Sequence, residues 1–260
     1  MNPRLKNLLR PLAHYVRMPL RMLGLAPQRA LDLRFLPRYW SEAAAFRRAG
    51  GKIRRLAPIL HDYSASAGSA TGHYFHQDLL VATLIHESAP RRHIDVGSRI
   101  DGFVAHVASF RPVEVIDIRP MPPIAHQRIG FLQGDLMRLD PGLVGICDSL
   151  SCLHALEHFG LGRYGDGIDP QGHLKGFANL HQMLEAGGLL YLSFPVGMPQ
   201  VQFNEQRIFD PVEVLQWSEG RFELTQFHCV DDQGELRRSA SLEDARRLRY
   251  GCGIFVLKKL

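Results

Sequence analysis

The stretch "RHIDVGSRIDGF", Arg92 to Phe103, decides the fold. Its first half is a short β-type run ending at Gly97. Its second half leads into Phe103, Val104, Val107 and Phe110, which recur at helical spacing. A buried strand that turns through glycine into a helix is the opening unit of an α/β sheet. The alternation then repeats. "VEVIDI" (113–118), "RIGFLQGD" (128–135), "GLVGICDSLSCL" (142–153) and "GLLYLSFPV" (188–196) read as further strands. Between the last two lies a helix over about 172–184, with Leu174, Phe177, Ala178 and Met183 on one face and a stop at Gly187-Gly188. A helix led by Asp210-Pro211 follows. The strands "FELTQFHCV" (222–230) and "GCGIFVLKK" (251–259) then predict an antiparallel closing pair.

These elements predict a Rossmann-like, doubly wound, mostly parallel seven-stranded sheet over 91–260, with the last strand antiparallel. Ahead of it, residues 1–40 read as a basic helical extension. Residues 41–90 read as a cap of helix and loop, with a helix over 41–49, a turn at Gly50-Gly51 and a second helix over about 75–87. The polar stretch "HDYSASAGSATGHYFHQD" (61–78) offers Tyr63, His73, Tyr74 and His76 to a pocket.

Charge is unevenly placed along the 260 residues. Of the net +5, residues 1–40 hold Arg4, Lys6, Arg10, Arg17, Arg21, Arg29, Arg34 and Arg38 against Asp32 alone, which leaves the rest of the chain slightly negative. A nucleic-acid binder spreads basic residues over its folded face, so no nucleic-acid partner is expected. Leu5, Leu8, Leu9 and Leu12 recur at helical spacing opposite the basic residues, so residues 1–27 predict an interfacial arm for an anionic membrane. Arg10, Arg17 and Arg21 interrupt any apolar core of a secretory signal, and no apolar run is long enough to span a bilayer. Cys147, Cys152, Cys229 and Cys252 form no C-x-x-C, which predicts buried free thiols and a reducing, cytoplasmic setting.

In such a sheet, ligands bind at the carboxyl ends of the strands. Asp95 with Gly97 closes the first, Asp117 the second, and Asp135 follows the third. Glycine lets a ligand approach the backbone. A carboxylate accepts both hydroxyls of a ribose, and a third acceptor suits an adenine amino group. The set predicts a nucleoside-bearing cofactor. A dinucleotide site keeps a second glycine where Arg99 stands, which disfavours a nicotinamide oxidoreductase. S-adenosylmethionine carries no phosphate and suits three carboxylates better.

The order "HIDVGSRIDGF", "VIDIRP", "FLQGDL", "DSLSCLHALEH", "MLEAGGLLYLSFP" resembles the class I S-adenosylmethionine-dependent methyltransferases from about 91 to 259. More narrowly, "DVGSRIDGF" with "HALEHFGLGRYGD" looks like a methyltransferase-like family catalogued as a domain of unknown function. The resemblance implies that Gly97 and Ser98 hold the methionine part, Asp117 and Ile118 the ribose, and Asp135 and Leu136 the adenine. Two features depart from the superfamily pattern: Arg99 in the glycine loop, and "RPMPP" after Asp117 in place of a short helix. They leave a non-catalytic scaffold as the competing reading.

Two motif patterns overlap after the fourth strand. His154, Glu157 and His158 spell H-x-x-E-H, and Gly160, Gly162 and Gly165 spell G-x-G-x-x-G. The first needs a longer helix than the glycines allow, and the second needs a strand directly before it. No metal is expected. By position the segment is the acceptor-side wall of a methyl-transfer pocket. His158 or His154 is the candidate base, oriented by Glu157. Arg163, Tyr164, Asp166 and Asp169 are candidates for a polar rim, joined by Asn204, Glu205 and Arg207 from the loop 203–209. A small-molecule or glycan hydroxyl, such as a sugar of a surface polysaccharide, is the expected acceptor. If the arm tethers the enzyme, deleting residues 1–27 shifts it out of the membrane fraction on cell fractionation. Unchanged recovery there would remove the tethering role.

Overall fold

Ile94 and Val96 point to one side of the first strand and His93 and Asp95 to the other, and all four are buried. A strand buried on both faces belongs in the middle of a sheet. The computed structural model, which describes residues 27–260, places it there. The chain divides into two units, one ending at Ser69 and one running from Ala70 to Leu260. The first holds a 3-10 helix, Pro27–Phe35, the helix α1, Leu36–Arg48, and a short 3-10 turn, Leu60–Ser64. Arg38 there donates to Glu42 at 2.8 Å and lies over the Tyr63 ring. The expected arm at residues 1–26 lies outside the described residues.

The second unit opens with α2, His73–Ser88. Strands β1 (His93–Val96), β2 (Val113–Asp117), β3 (Ile129–Gln133), β4 (Cys147–Leu153) and β5 (Leu184–Val196) pair in parallel in the order β3-β2-β1-β4-β5. Strands β6 (Gln200–Gln202) and β7 (Gln206–Ile208) form a separate antiparallel hairpin. Beyond β5 the main sheet continues with β10 (Gly251–Lys259), β8 (Phe222–Val230) and the two-residue β9 (Leu236–Arg237), all antiparallel to their neighbours. The expected seven strands are present. The two-residue β9 makes an eighth.

The first-strand turn does not open a plain helix. Ile100–Val104 is a π-helical turn with Gly102 at φ −120°, ψ −115°, and regular helix follows only at α3, Ala105–Ala108. Helix α4, Gly172–Met183, passes directly into β5 at Leu184. The glycine pair falls within a strand whose register against β4 shifts between Cys147 and Ser149.

The centre of one face of the sheet is apolar. Leu150, Cys152, Leu190, Leu192 and Phe194 pack on Phe177, Leu180 and Met183 of α4 and on Trp217 of α5, Glu213–Ser218. The other face packs on Leu80, Val81 and Ile85 of α2 but carries a polar strip. His93 Nδ1 and Nε2 meet the Ser149 and Ser151 hydroxyls at 2.7 and 3.2 Å, and the Ser193 hydroxyl donates to Gln77. Each buried polar group finds a partner there, which fixes β1, β4, β5 and α2 in one register. Among the described residues no helix is long and apolar enough to cross a membrane. The four cysteines are free and buried.

Candidate active site

Three strand ends and one long loop converge at the carboxyl edge of the sheet. At the end of β1, Asp95 is fully buried. It accepts from Ser98 N at 3.0 Å, Ser98 Oγ at 2.8 Å and Ser151 Oγ at 2.6 Å. Burial pushes its carboxyl up to about 6, against the pull of those donors. Ser98 is therefore the partner of Asp95 within the turn. Gly97 follows at φ +78°, and a Cβ there would sit 2.8 Å from that of Ala155.

Asp117 at the end of β2 accepts from Arg119 N at 2.8 Å and Nε at 2.9 Å, and the other oxygen takes Nη2. The half-exposed Arg119 guanidinium lies over the Tyr164 ring, 4.7 Å from its centre. Asp135 uses one oxygen to accept from Met137 N. Val96, Ile116, Leu136, Met137, Ala155 and Phe159 line a narrow apolar lobe between these ends, with Gly97, Asp117, Ile118 and Asp135 on its walls. A second, polar lobe of about 680 Å³ shares Gly97, Arg119, His154, His158 and Tyr164 with it and continues to Ser98, Tyr74, Gln77, Asp78, Glu157, Arg163, Glu205, Gln206 and Tyr250. This is the size class of a small-molecule cleft.

The wall between the lobes comes from the residues after β4. His154 takes a left-handed backbone, φ +48°, that a histidine adopts only under constraint, while its N–H still donates to Ser193 O. A 3-10 turn, Leu156–His158, follows. His154 Nδ1 donates to Glu157 Oε1 at 2.9 Å, and His158 Nε2 stands 3.7 Å from the same oxygen. His158 Nδ1 donates to the Glu205 carbonyl at 2.7 Å, which leaves Nε2 as the basic nitrogen. Burial holds His158 below its ordinary value, Glu157 opposing, so the ring is neutral near pH 7. Burial also opposes charge on His154, but Cys252 and Glu157 override it and raise its pKa. Burial, then His154, pushes His73 down to about 4. Burial raises Asp78.

The glycines at 160–165 have a different task from the one their pattern suggests. The N–H groups of Gly160, Gly162 and Tyr164 donate to the Asp166 carboxylate at 2.8, 3.1 and 3.2 Å. The loop thus builds an anion nest and fills it with its own side chain. Gly160 has φ +78° and a Cβ there would lie 2.0 Å from Asp169 O, so no other residue fits. Asp169 pairs with Lys175 at 2.5 Å.

The proposed substrate residues divide. Arg163 and Tyr164 face the polar lobe, with Arg163 Nη1 donating to Glu205 O at 2.9 Å. Asp166 borders the apolar lobe but is engaged by the loop. Arg207 is buried and donates to the carbonyls of Glu157, Phe159, Asp169 and Pro170 at 2.6 to 3.4 Å, so it holds the loop instead of a ligand. Asn204 lines neither lobe, whereas Gln206 does and meets Tyr250 Oη at 3.1 Å. Gln77, Asp78 and Tyr250 carry no sequence signal. The first two are polar residues on the buried side of an amphipathic helix, and the third lies far along the chain. Of the loop residues expected at a pocket, Tyr74 reaches it.

A family model described as a Caenorhabditis protein of unknown function, DUF268, matches residues 144–260. No curated protein matches the sequence. Among solved structures, the chain is similar to the 1,6-didemethyltoxoflavin-N1-methyltransferase of Burkholderia thailandensis, solved with 1,6-didemethyltoxoflavin and S-adenosylhomocysteine. That likeness has a TM-score of 0.50 at 16% identity and covers 90% of this chain and 91% of that one. The [4+2]-cyclase SpnF gives 0.49 at 15% identity over 70% and 81%. The N-methyltransferase NodS of Bradyrhizobium japonicum gives 0.48 at 12% over 72% and 88%. With the strand order β3-β2-β1-β4-β5 and the antiparallel β10 inserted before β8, the architecture is the Rossmann-like fold of the class I methyltransferases.

The buried Asp95 makes a test of this strand end. Its raised pKa means that the folded chain holds the proton more tightly than the unfolded one. Stability therefore falls as pH rises from 3.8 to about 6 and the penalty is constant above. Urea unfolding across that window should show the wild type losing stability relative to Asp95→Asn as pH rises. Parallel curves would mean that Asp95 is not the group that titrates.

Proposed function

We propose that the protein is an S-adenosylmethionine-dependent methyltransferase that methylates a hydroxyl oxygen of a small polar acceptor, with a sugar as the favoured class. One observation carries the reading. A neutral histidine, His158, stands at the junction of an apolar and a polar lobe with Nδ1 tied to a carbonyl and Nε2 beside a buried carboxylate.

The residues fit the cofactor. Gly97 presents bare backbone at the end of β1, and Asp117 and Asp135 present carboxylates on either side of an apolar slot. Asp117 now accepts from Arg119, whose half-exposed side chain is free to give way to ribose hydroxyls or share the carboxylate with them. Ile118 and Leu136 supply apolar walls to the same slot. Bound there, the group supplies a methyl carried on a positively charged sulfur.

The chain's own part is proton transfer and positioning. His158 Nε2 takes the acceptor's hydroxyl proton, and Glu157 at 3.7 Å offsets the imidazolium charge that results. His154 donates to Glu157 and fixes the carboxylate. The Glu205 carbonyl holds His158 in the tautomer that leaves Nε2 free. Tyr74 and Tyr250 offer aromatic faces in the polar lobe, and Asp78, Arg163, Glu205 and Gln206 offer donors and acceptors, a mixture suited to a sugar ring. Polysaccharide biosynthesis at an anionic membrane, reached through residues 1–27, extends the reading on the charge of that segment alone.

His158→Gln keeps the ring's approximate volume and removes the base. Transfer of a labelled methyl group to a panel of free and nucleotide-linked sugars should fall about 10²- to 10⁴-fold in kcat, with KM for the cofactor nearly unchanged. Full turnover in the variant would take His158 out of the mechanism.

A further inference from the structure

Beneath the polar lobe, three side chains from distant parts of the chain meet. His73 lies in the first turn of α2, His154 at the end of β4 and Cys252 at the start of β10. One ligand atom from each lies within 4.8 Å of the other two. The His73 and His154 rings are stacked, 16° apart in plane with centroids 5.3 Å apart, so one ring turns when both nitrogens aim at a single ion. Two imidazoles on one tetrahedral ion, with metal–nitrogen bonds of about 2.0–2.1 Å, place their ring centres roughly 5 Å apart. A contraction of about an ångström brings the three donors to tetrahedral spacing.

The orphaned atoms point the same way. The His154 side chain is 4% exposed and its Nδ1 donates to Glu157, which leaves Nε2 as the nitrogen that would take a metal in place of a proton. That Nε2 is buried with no hydrogen-bond partner, as is Glu157 Oε2. A carboxylate behind an imidazole whose far nitrogen is unsatisfied is the arrangement that orients metal-binding histidines. Glu157 is fully buried, and within 4 Å only the imidazoles of His154 and His158 stand in ion-pair range among the described residues. A divalent cation beside His154, together with a Cys252 thiolate, would bring the buried charge near balance.

We propose that His73, His154 and Cys252 form a binding site for a zinc ion beside the cofactor slot, on observations independent of the methyl-transfer reading. Two imidazoles and one sulfur select a borderline-soft ion over magnesium or calcium. On binding, the Cys252 thiol and His154 Nε2 each give a proton to solvent, and the sulfur and that nitrogen bond the metal. Three protein ligands leave a fourth position on a tetrahedral ion. His154 borders both lobes, so the ion is placed to brace the wall that carries His158.

The test uses the full chain carrying no histidine tag, stripped with a chelator and titrated with cobalt(II) as a spectroscopic stand-in. The expected result is one equivalent bound, with tetrahedral visible bands and a thiolate-to-cobalt charge-transfer band, both abolished by zinc. Cys252→Ser should lose the charge-transfer band. His73→Ala, on the half-buried end of a helix, should lose stoichiometric binding while keeping the circular dichroism spectrum, and it decides the matter if Cys252→Ser does not fold. Glu157→Gln should weaken zinc about 10- to 100-fold. The site is overturned if no equivalent binds, or if binding and spectrum are unchanged in the two ligand variants.

Discussion

The loop that walls the polar lobe of the cleft hangs on one buried guanidinium. Arg207, on the short hairpin strand β7, donates to four carbonyls of the segment from Glu157 to Pro170. A loop of this length with no regular structure has backbone groups to satisfy, and leaving one buried carbonyl unpaired costs about 1–3 kcal/mol. Arg207 satisfies several together, and burial lowers its pKa as the counterpart of that service. The Asp166 carboxylate ties in the N–H groups of the same loop. Between them, a cation on the carbonyls and an anion on the amides hold the 154–170 segment against the end of β4. Glu157 and His158 are therefore fixed before any ligand arrives, which is the condition for a base to act without reorganisation.

The opposite wall is built on the same logic from the sheet itself. Asp95 links the turn after β1 to Ser151 on β4, and Ser151 continues to His93 and Ser149. This polar strip lies on the face of α2, where Gln77 and Asp78 reach the cleft from below. The fold thus spends its apolar face on packing and its polar face on shaping the site.

Much of the fold was legible in the sequence because strands and helices leave periodic marks. The strand after Arg92, the glycine at its end and the two antiparallel strands at the close all lie where the pattern puts them. The π-helical turn at 100–104 was not legible, because Phe103 and Val104 fit a regular helix equally well. The site divided along the same line. Gly97, Asp117, Asp135, His154 and His158 meet at one edge because topology places strand ends together, whereas Asp95, expected at the cofactor, is buried on Ser98 and Ser151 and lines neither lobe. Arg207 looks like a ligand residue in a polar loop, and only the tertiary structure turns it toward carbonyls. Gln206, Tyr250 and Cys252 join the neighbourhood through β7 and β10, across distances no local pattern encodes. The glycine pattern at 160–165 has no strand directly before it, and its N–H groups are taken by the Asp166 carboxylate.

In the proposed function, S-adenosylmethionine sits in the cleft with its ribose on Asp117. Isothermal titration calorimetry of the full chain and of Asp117→Ala, with S-adenosylmethionine and with NAD, tests it most directly. S-adenosylmethionine alone should bind, at least about tenfold, or ~1.4 kcal/mol, more weakly in the variant. Binding of neither ligand, or an affinity indifferent to the loss of Asp117, would contradict it.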